Sequence, residues 1–168
     1  VERQLASGMM RNERHLWTSI RPNGPSRPYE LNRLELRICD LITNCDLLLA
    51  VTALLELRVL SLFNNLKKID PIEASRLTEN ELADLSDKNE IAVARKSLDA
   101  TLFKWLDGKP INCRDWIKEL LEEVEPLAID MDMVNQLSPI NAVLDQGNQA
   151  MQWLKAHSLG KSVEAVLE

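Results

Sequence analysis

The spacing of apolar residues changes near residue 43, and that change limits the folds open to the chain. Before it, Leu34, Leu36 and Ile38 alternate with Arg33, Glu35 and Arg37 in the stretch ELNRLELRICDL at 30–41. A period of two reads as a β-strand over 31–38 with one apolar and one charged face. HLWTSI at 15–20, rich in β-formers, is a second strand candidate. Between them RPNGPSRP at 21–28 cannot continue a helix and reads as a loop.

Beyond residue 43 the pattern is helical. Asp46 to Leu66 is apolar nearly all round, as for a helix buried on more than one side. Asp70-Pro71 supplies an N-cap with proline at the first helical position. Thr78 and Glu81 form a capping box for a helix expected to run to about Leu106, with Gly108 as its stop. Asn112 caps the next helix, which Pro126 should end or bend. Ser138-Pro139 opens another that reaches Gly160, and SVEAVLE closes the chain. The class is α+β: part of a sheet, with strands near 15–20 and 31–38, then a mostly helical remainder packed on it, residues 1–168 forming one segment.

The net charge of −6 argues against a nucleic-acid partner. Residues 1–37 nevertheless hold seven arginines, no lysine and four glutamates, which makes this stretch +3. Arginine without lysine suits forked recognition of phosphate or carboxylate. The three cysteines form no CxxC pair, consistent with a reducing, cytoplasmic setting and buried thiols, and His15 and His157 stand alone. The apolar run at 47–63 is interrupted by Glu56 and Arg58 and falls short of the roughly 20 residues of a membrane span, so it reads as a core helix. The chain opens VERQLASGMM, without an initiator methionine, and is expected to be a piece of a longer protein.

Two sets of residues are candidates for chemistry. On the charged side of the 31–38 strand, Glu35 suits Mg²⁺, a hard cation that takes carboxylate oxygens, and Arg33 and Arg37 suit a phosphoryl group. The plain alternative is a charge-alternating edge strand that resists aggregation. On the 88–106 helix lie Asn89 and Arg95, with Arg95 and Asp99 spaced for an i,i+4 surface ion pair. Glu119, Glu122, Glu123 and Glu125 read as a solvated helix face. No Gly-rich phosphate loop, Ser-His-Asp set or Cys-His pair is evident.

Several segments, in order, carry a resemblance. LELRICD places Glu35, Arg37 and Asp40 in an ExRxxD pattern; NEIAVARKSLDA at 89–100 contains Asn89, Arg95 and Leu98-Asp99-Ala100; SPINAVLDQGNQAMQWL spans 138–154. With RHLWTSIRPNG near the start, they resemble glutamate–cysteine ligases, most of all the cyanobacterial type, and related carboxylate–amine ligases, over residues 10–156. The resemblance implies an antiparallel sheet curved into a cradle, with helices on its outer face. It also implies that Mg²⁺-ATP phosphorylates the γ-carboxylate of L-glutamate and that the amine of L-cysteine attacks the acyl phosphate, the first step of glutathione synthesis. By position, Glu35 would bind Mg²⁺, Arg37 would be a catalytic clamp, and Arg33, Asn89 and Arg95 would bind substrate or ATP. Related ligases often carry arginines where this chain has Ala92 and Met151-Gln152, so roles at those positions do not transfer. The resemblance covers the C-terminal part of such enzymes, so the remainder of the same enzyme is an expected partner and the isolated segment should have little activity. The other readings are a carboxylate–amine ligase acting on a different amine, and a non-catalytic helical interaction module.

Overall fold

The computed structural model describes residues 20–22, 34–36, 42–66 and 71–167. The chain divides into two units, Val1–Leu41 and Ile42–Glu168. In the first, β1 (Ile20–Pro22) and β2 (Leu34–Leu36) pair antiparallel, with Ile20 opposite Leu36, Arg21 opposite Glu35 and Pro22 opposite Leu34. Antiparallel pairing agrees with the expectation, but β1 takes in Arg21 and Pro22, which read as loop. Pro22 is the last residue of β1, and a strand end is a place where a proline nitrogen need not enter the ladder. The strand candidate at 15–19 and both ends of the 31–38 strand lie outside the described residues.

The second unit begins with α1 (Cys45–Leu66), whose Asn44 side chain accepts a hydrogen bond from the Leu47 N–H at 2.9 Å. Ala50, Ala53 and Leu57 recur at helical spacing and are buried. The two alanines let other helices approach closely, and the cluster is completed by Val124, Ala128, Leu137, Ile140 and Leu144. The opposite side of α1 leaves Leu48, Leu49, Val59 and Phe63 substantially exposed, so burial is one-sided among the described residues.

A short α2 (Pro71–Ala74) precedes α3 (Glu79–Lys96), which carries the expected capping box. The Thr78 N–H donates to the Glu81 carboxylate at 2.8 Å, and the Thr78 hydroxyl accepts from the Glu81 N–H at 3.4 Å. The helix does not reach Leu106. Ser97 sits at φ 50°, which stops it, and a 3₁₀ turn (Ser97–Asp99) leads into β3 (Thr101–Phe103). β3 pairs antiparallel with β4 (Pro110–Asn112), and Trp105 lies in the connecting turn instead of on a helix. Thr-Leu-Phe suits a strand, and the Asn89 side chain holds it in place: Oδ1 accepts from the Phe103 N–H at 2.8 Å and Nδ2 donates to the Phe103 carbonyl at 2.9 Å. Leu98, Ala100, Leu102 and Cys113 form a second buried cluster here.

Asn112 caps α4 (Cys113–Asp130), accepting from the Arg114 N–H at 2.9 Å. Pro126 lies inside this helix without ending it. The carbonyl that proline leaves unpaired belongs to Glu122, an exposed residue, so water can satisfy it. The helix ends in a Schellman motif, with Met133 N–H donating to Ala128 O at 2.8 Å, Asp132 N–H to Ile129 O at 3.1 Å, and Asp132 left-handed at φ 57°. After α5 (Val134–Leu137), the single helix expected from Ser138 to Gly160 is two, α6 (Pro139–Gln146) and α7 (Gln149–Ser158). Gly147, at φ 89°, separates them, and Asn148 caps α7 by accepting from the Met151 N–H at 3.0 Å. A Cβ at Gly147 would lie 3.2 Å from the Met151 Cβ, a tight contact that adds to the strain any other residue would meet at this φ. α8 (Val163–Leu167) closes the described chain. Among the described residues no helix is long and apolar enough to cross a membrane.

Candidate functional site

Of the charged residues on the 31–38 strand, Glu35 falls in β2, where the register sets it opposite Arg21. Arg33, Arg37 and Asp40 lie outside the described residues. Arg95 occupies the exposed last turn of α3, where a cation complements the helix dipole. Asn89 turns its amide to the backbone of Phe103, so both of its polar atoms are engaged within the fold. Asp99 does not pair with Arg95 in an i,i+4 bridge. The turn at Ser97 takes Asp99 out of the helix, and its carboxylate accepts from Arg114 Nε and Nη2, each at 3.1 Å.

Within the second unit, the stretches 89–100 and 138–154 come together. Asn148 Nδ2 donates to the Ser97 hydroxyl at 2.7 Å. Arg114, bound to Asp99, also donates through Nη1 to the Leu144 carbonyl, and so ties the 3₁₀ turn to α6. Arg114 escaped sequence reasoning, although one sign of it was present. A cation in the first turn of a helix opposes the dipole and needs a partner elsewhere.

The 138–154 stretch also borders a cleft of about 420 Å³ between the start of α1 and the α6–α7 turn. Thr43, Asn44 and Asp46 form one wall, with Gln146, Gly147, Gln149, Gln152 and Trp153 across from them. Gln149 Nε2 donates across the cleft to the Thr43 hydroxyl at 3.0 Å, and Gln152 Nε2 donates to the Gly147 carbonyl at 2.9 Å. Among the described residues, no lysine, arginine or histidine lines it. Cys113, buried beside Arg114, is no nucleophile: burial pushes its thiol above the ordinary range, and nearby Arg114 only partly opposes this. No group of three or more His, Cys, Asp or Glu side chains among the described residues comes together to hold a metal. The described residues therefore do not by themselves fit a Mg²⁺ site.

In the hairpin Glu35 stands opposite Arg21 in register, and in the helical unit the 138–154 segment lines a polar cleft. The comparison with known families is specific: the model for Glutamate-cysteine ligase family 2 matches residues 1–167. The chain belongs to this family. It is similar to proteins named "Putative glutamate--cysteine ligase 2" from three organisms. The Gloeobacter violaceus protein is 26% identical over 166 residues, 97% of this chain and 41% of that protein. That of Sorangium cellulosum is 24% identical over 168 residues, 100% of this chain and 42% of that protein. That of Solibacter usitatus is 26% identical over 162 residues, 94% of this chain and 39% of that protein. The chain thus spans about two fifths of the length of the relatives it matches. No solved structure matches it.

Proposed function

We propose that this chain forms part of an ATP-dependent ligase that joins the γ-carboxylate of L-glutamate to the amine of L-cysteine. The observation that carries the reading is the family match across residues 1–167, to which the names of the relatives add the two amino acids. In this reaction ATP transfers its γ-phosphoryl group to the glutamate γ-carboxylate and leaves as ADP. The amine then displaces phosphate to give γ-glutamylcysteine, and the ammonium proton goes to solvent. Bringing an anionic nucleotide to an anionic carboxylate demands cations, because charge neutralisation and positioning dominate phosphoryl transfer. The arginine-rich, lysine-free stretch 1–37 has the composition for that task. We assign Arg37 as a clamp on the transferring phosphoryl group, Arg33 as a support for it, and Glu35 to the same strand's polar side. Arg95 is assigned to binding, whereas Asn89 acts through its bonds to Phe103.

The test is made in a protein of the relatives' full length that carries this segment. Arg37→Glu should lower turnover by roughly a hundredfold or more, with far-UV circular dichroism unchanged and γ-glutamylcysteine followed by mass. Turnover near that of the unsubstituted protein would refute the clamp. A panel of amines in the same assay identifies the acceptor, and a product formed only with an amine other than cysteine would replace this reading with a different carboxylate–amine ligase.

A further inference from the structure

We infer that Arg114 is a positioning residue of the proposed ligase. By neutralising Asp99 it leaves the Arg95 guanidinium open to an anionic oxygen group, either a nucleotide phosphate or a substrate carboxylate. The inference rests on the proposed function, in which Arg95 is assigned to binding, and adds the residue that keeps Arg95 available. Two cations compete for one carboxylate. Asp99 follows Arg95 by four residues and lies just beyond the C-terminal end of α3, where the helix dipole disfavours an acid. It therefore needs a cationic partner. Arg95 is the local one by its i,i+4 spacing, and Arg114, in the first turn of α4, is the distant one.

The structure gives Asp99 to Arg114. Nε and Nη2 of Arg114 both lie 3.1 Å from Asp99 Oδ1, and Nη1 donates to the Leu144 carbonyl, so the guanidinium is fixed on two sides. The Arg114 side chain is 23% exposed and that of Asp99 63%, which makes Arg114 the anchor and Asp99 the group drawn to it. The backbone at Ser97 completes the arrangement. Its φ of 50° takes Asp99 off the helical path, and Asn148 Nδ2 donates to the Ser97 hydroxyl at 2.7 Å and holds the turn there. Arg95 is left exposed in the last turn of α3, without an ion-pair partner among the described residues. A guanidinium matched by a carboxylate attracts an anion weakly, whereas an unmatched one keeps its charge for a ligand. Arg114, with donors engaged on both Asp99 and Leu144, acts through the charge it cancels and not by touching the substrate.

The experiment is a calorimetric titration of ATP, and separately of L-glutamate, into a protein of the relatives' full length that carries this segment. Thermal unfolding of each variant is measured in parallel. Arg95→Gln should weaken one of the two probes, and that probe identifies the anion as phosphate or carboxylate. Arg114→Gln should weaken the same probe roughly fivefold, the size of one exposed ion pair, and the loss should shrink as salt is raised. Two further variants separate charge from packing. Arg114→Lys keeps the cation without the fork, and Arg114→Gln combined with Asp99→Asn removes both charges. Each should bind the probe within about twofold of the unsubstituted protein, even where its unfolding midpoint falls. In an Arg95→Gln background, Arg114→Gln should cause no further loss. A loss that neither variant restores, a loss that persists without Arg95, or an Arg95→Gln protein that binds both probes normally would overturn the assignment. The ligase assay separates it from the reading on which it rests. An active ligase without this pattern sinks the role of Arg114 alone, and the pattern in a protein that forms no γ-glutamyl product sinks the ligase alone.

Discussion

Asn89 shows how much a single side chain can decide. It sits on a helix, yet its amide reaches a strand residue fourteen positions on and bonds both the N–H and the carbonyl of Phe103. Removing that amide leaves two half-buried backbone groups without their partners, so Asn89→Ala should cost about 1–3 kcal/mol. Thermal unfolding of the chain without any ligand measures this, and an unchanged midpoint would show that the two bonds do not hold β3. At this scale, what was legible in the sequence was local. Thr78, Glu81 and Asn112 were readable as caps because each bonds within three residues of itself. The partners of Arg114 lie 15 and 30 residues away, and that of Asn148 lies 51 away. No spacing rule reaches that far.

Elements were read well where they begin and poorly where they end. The start of α3 is written into four consecutive residues, but its end depends on the backbone at Ser97 and on a strand that Asn89 holds from outside the segment. The break at Gly147 was missed for a related reason: the apolar pattern continues through it while the backbone does not. The capping box also makes the first turn of α3 sensitive to acid. The Thr78 N–H, and after it the Thr78 hydroxyl, hold the Glu81 carboxyl below the ordinary carboxylate range. Because the folded-state pKa is the lower one, this contribution is present above the unfolded carboxylate pKa and is lost as pH falls through the folded value. Glu81→Gln, which still reaches back to the cap, should make the protection factors of the first-turn amides of α3, taken relative to the unstructured exchange rate at each pH, nearly independent of pH in the acid range. A variant that retained the acid-induced fraying would place the titrating group elsewhere.

Across the whole helical unit, the two buried clusters are joined by Ile117, which packs against both. The unit should therefore unfold in one step. Leu57→Ala, at a fully buried site in the first cluster, should lower stability by about 2–5 kcal/mol and should destabilise the distant β3–β4 hairpin equally. Urea transitions followed at both places would coincide, and separate transitions would show that the clusters are independent. The α+β class was legible because periodicity reports which faces are buried. The assembly of the cleft was not, since its walls come from the start of α1 and from the α6–α7 turn, a hundred residues apart. The 138–154 segment could be singled out from the sequence, but its meeting with the start of α1 rests on the break at Gly147 and on the bond from Gln149 to Thr43.

A two-stranded ribbon such as β3–β4 normally offers an outer row of backbone groups to which another chain can add a strand. Here the amide of Asn89 occupies the place of that next strand at Phe103. That position on the β3 edge is thereby taken, and a residue that completes the fold also keeps a strand of a neighbouring molecule from pairing at Phe103.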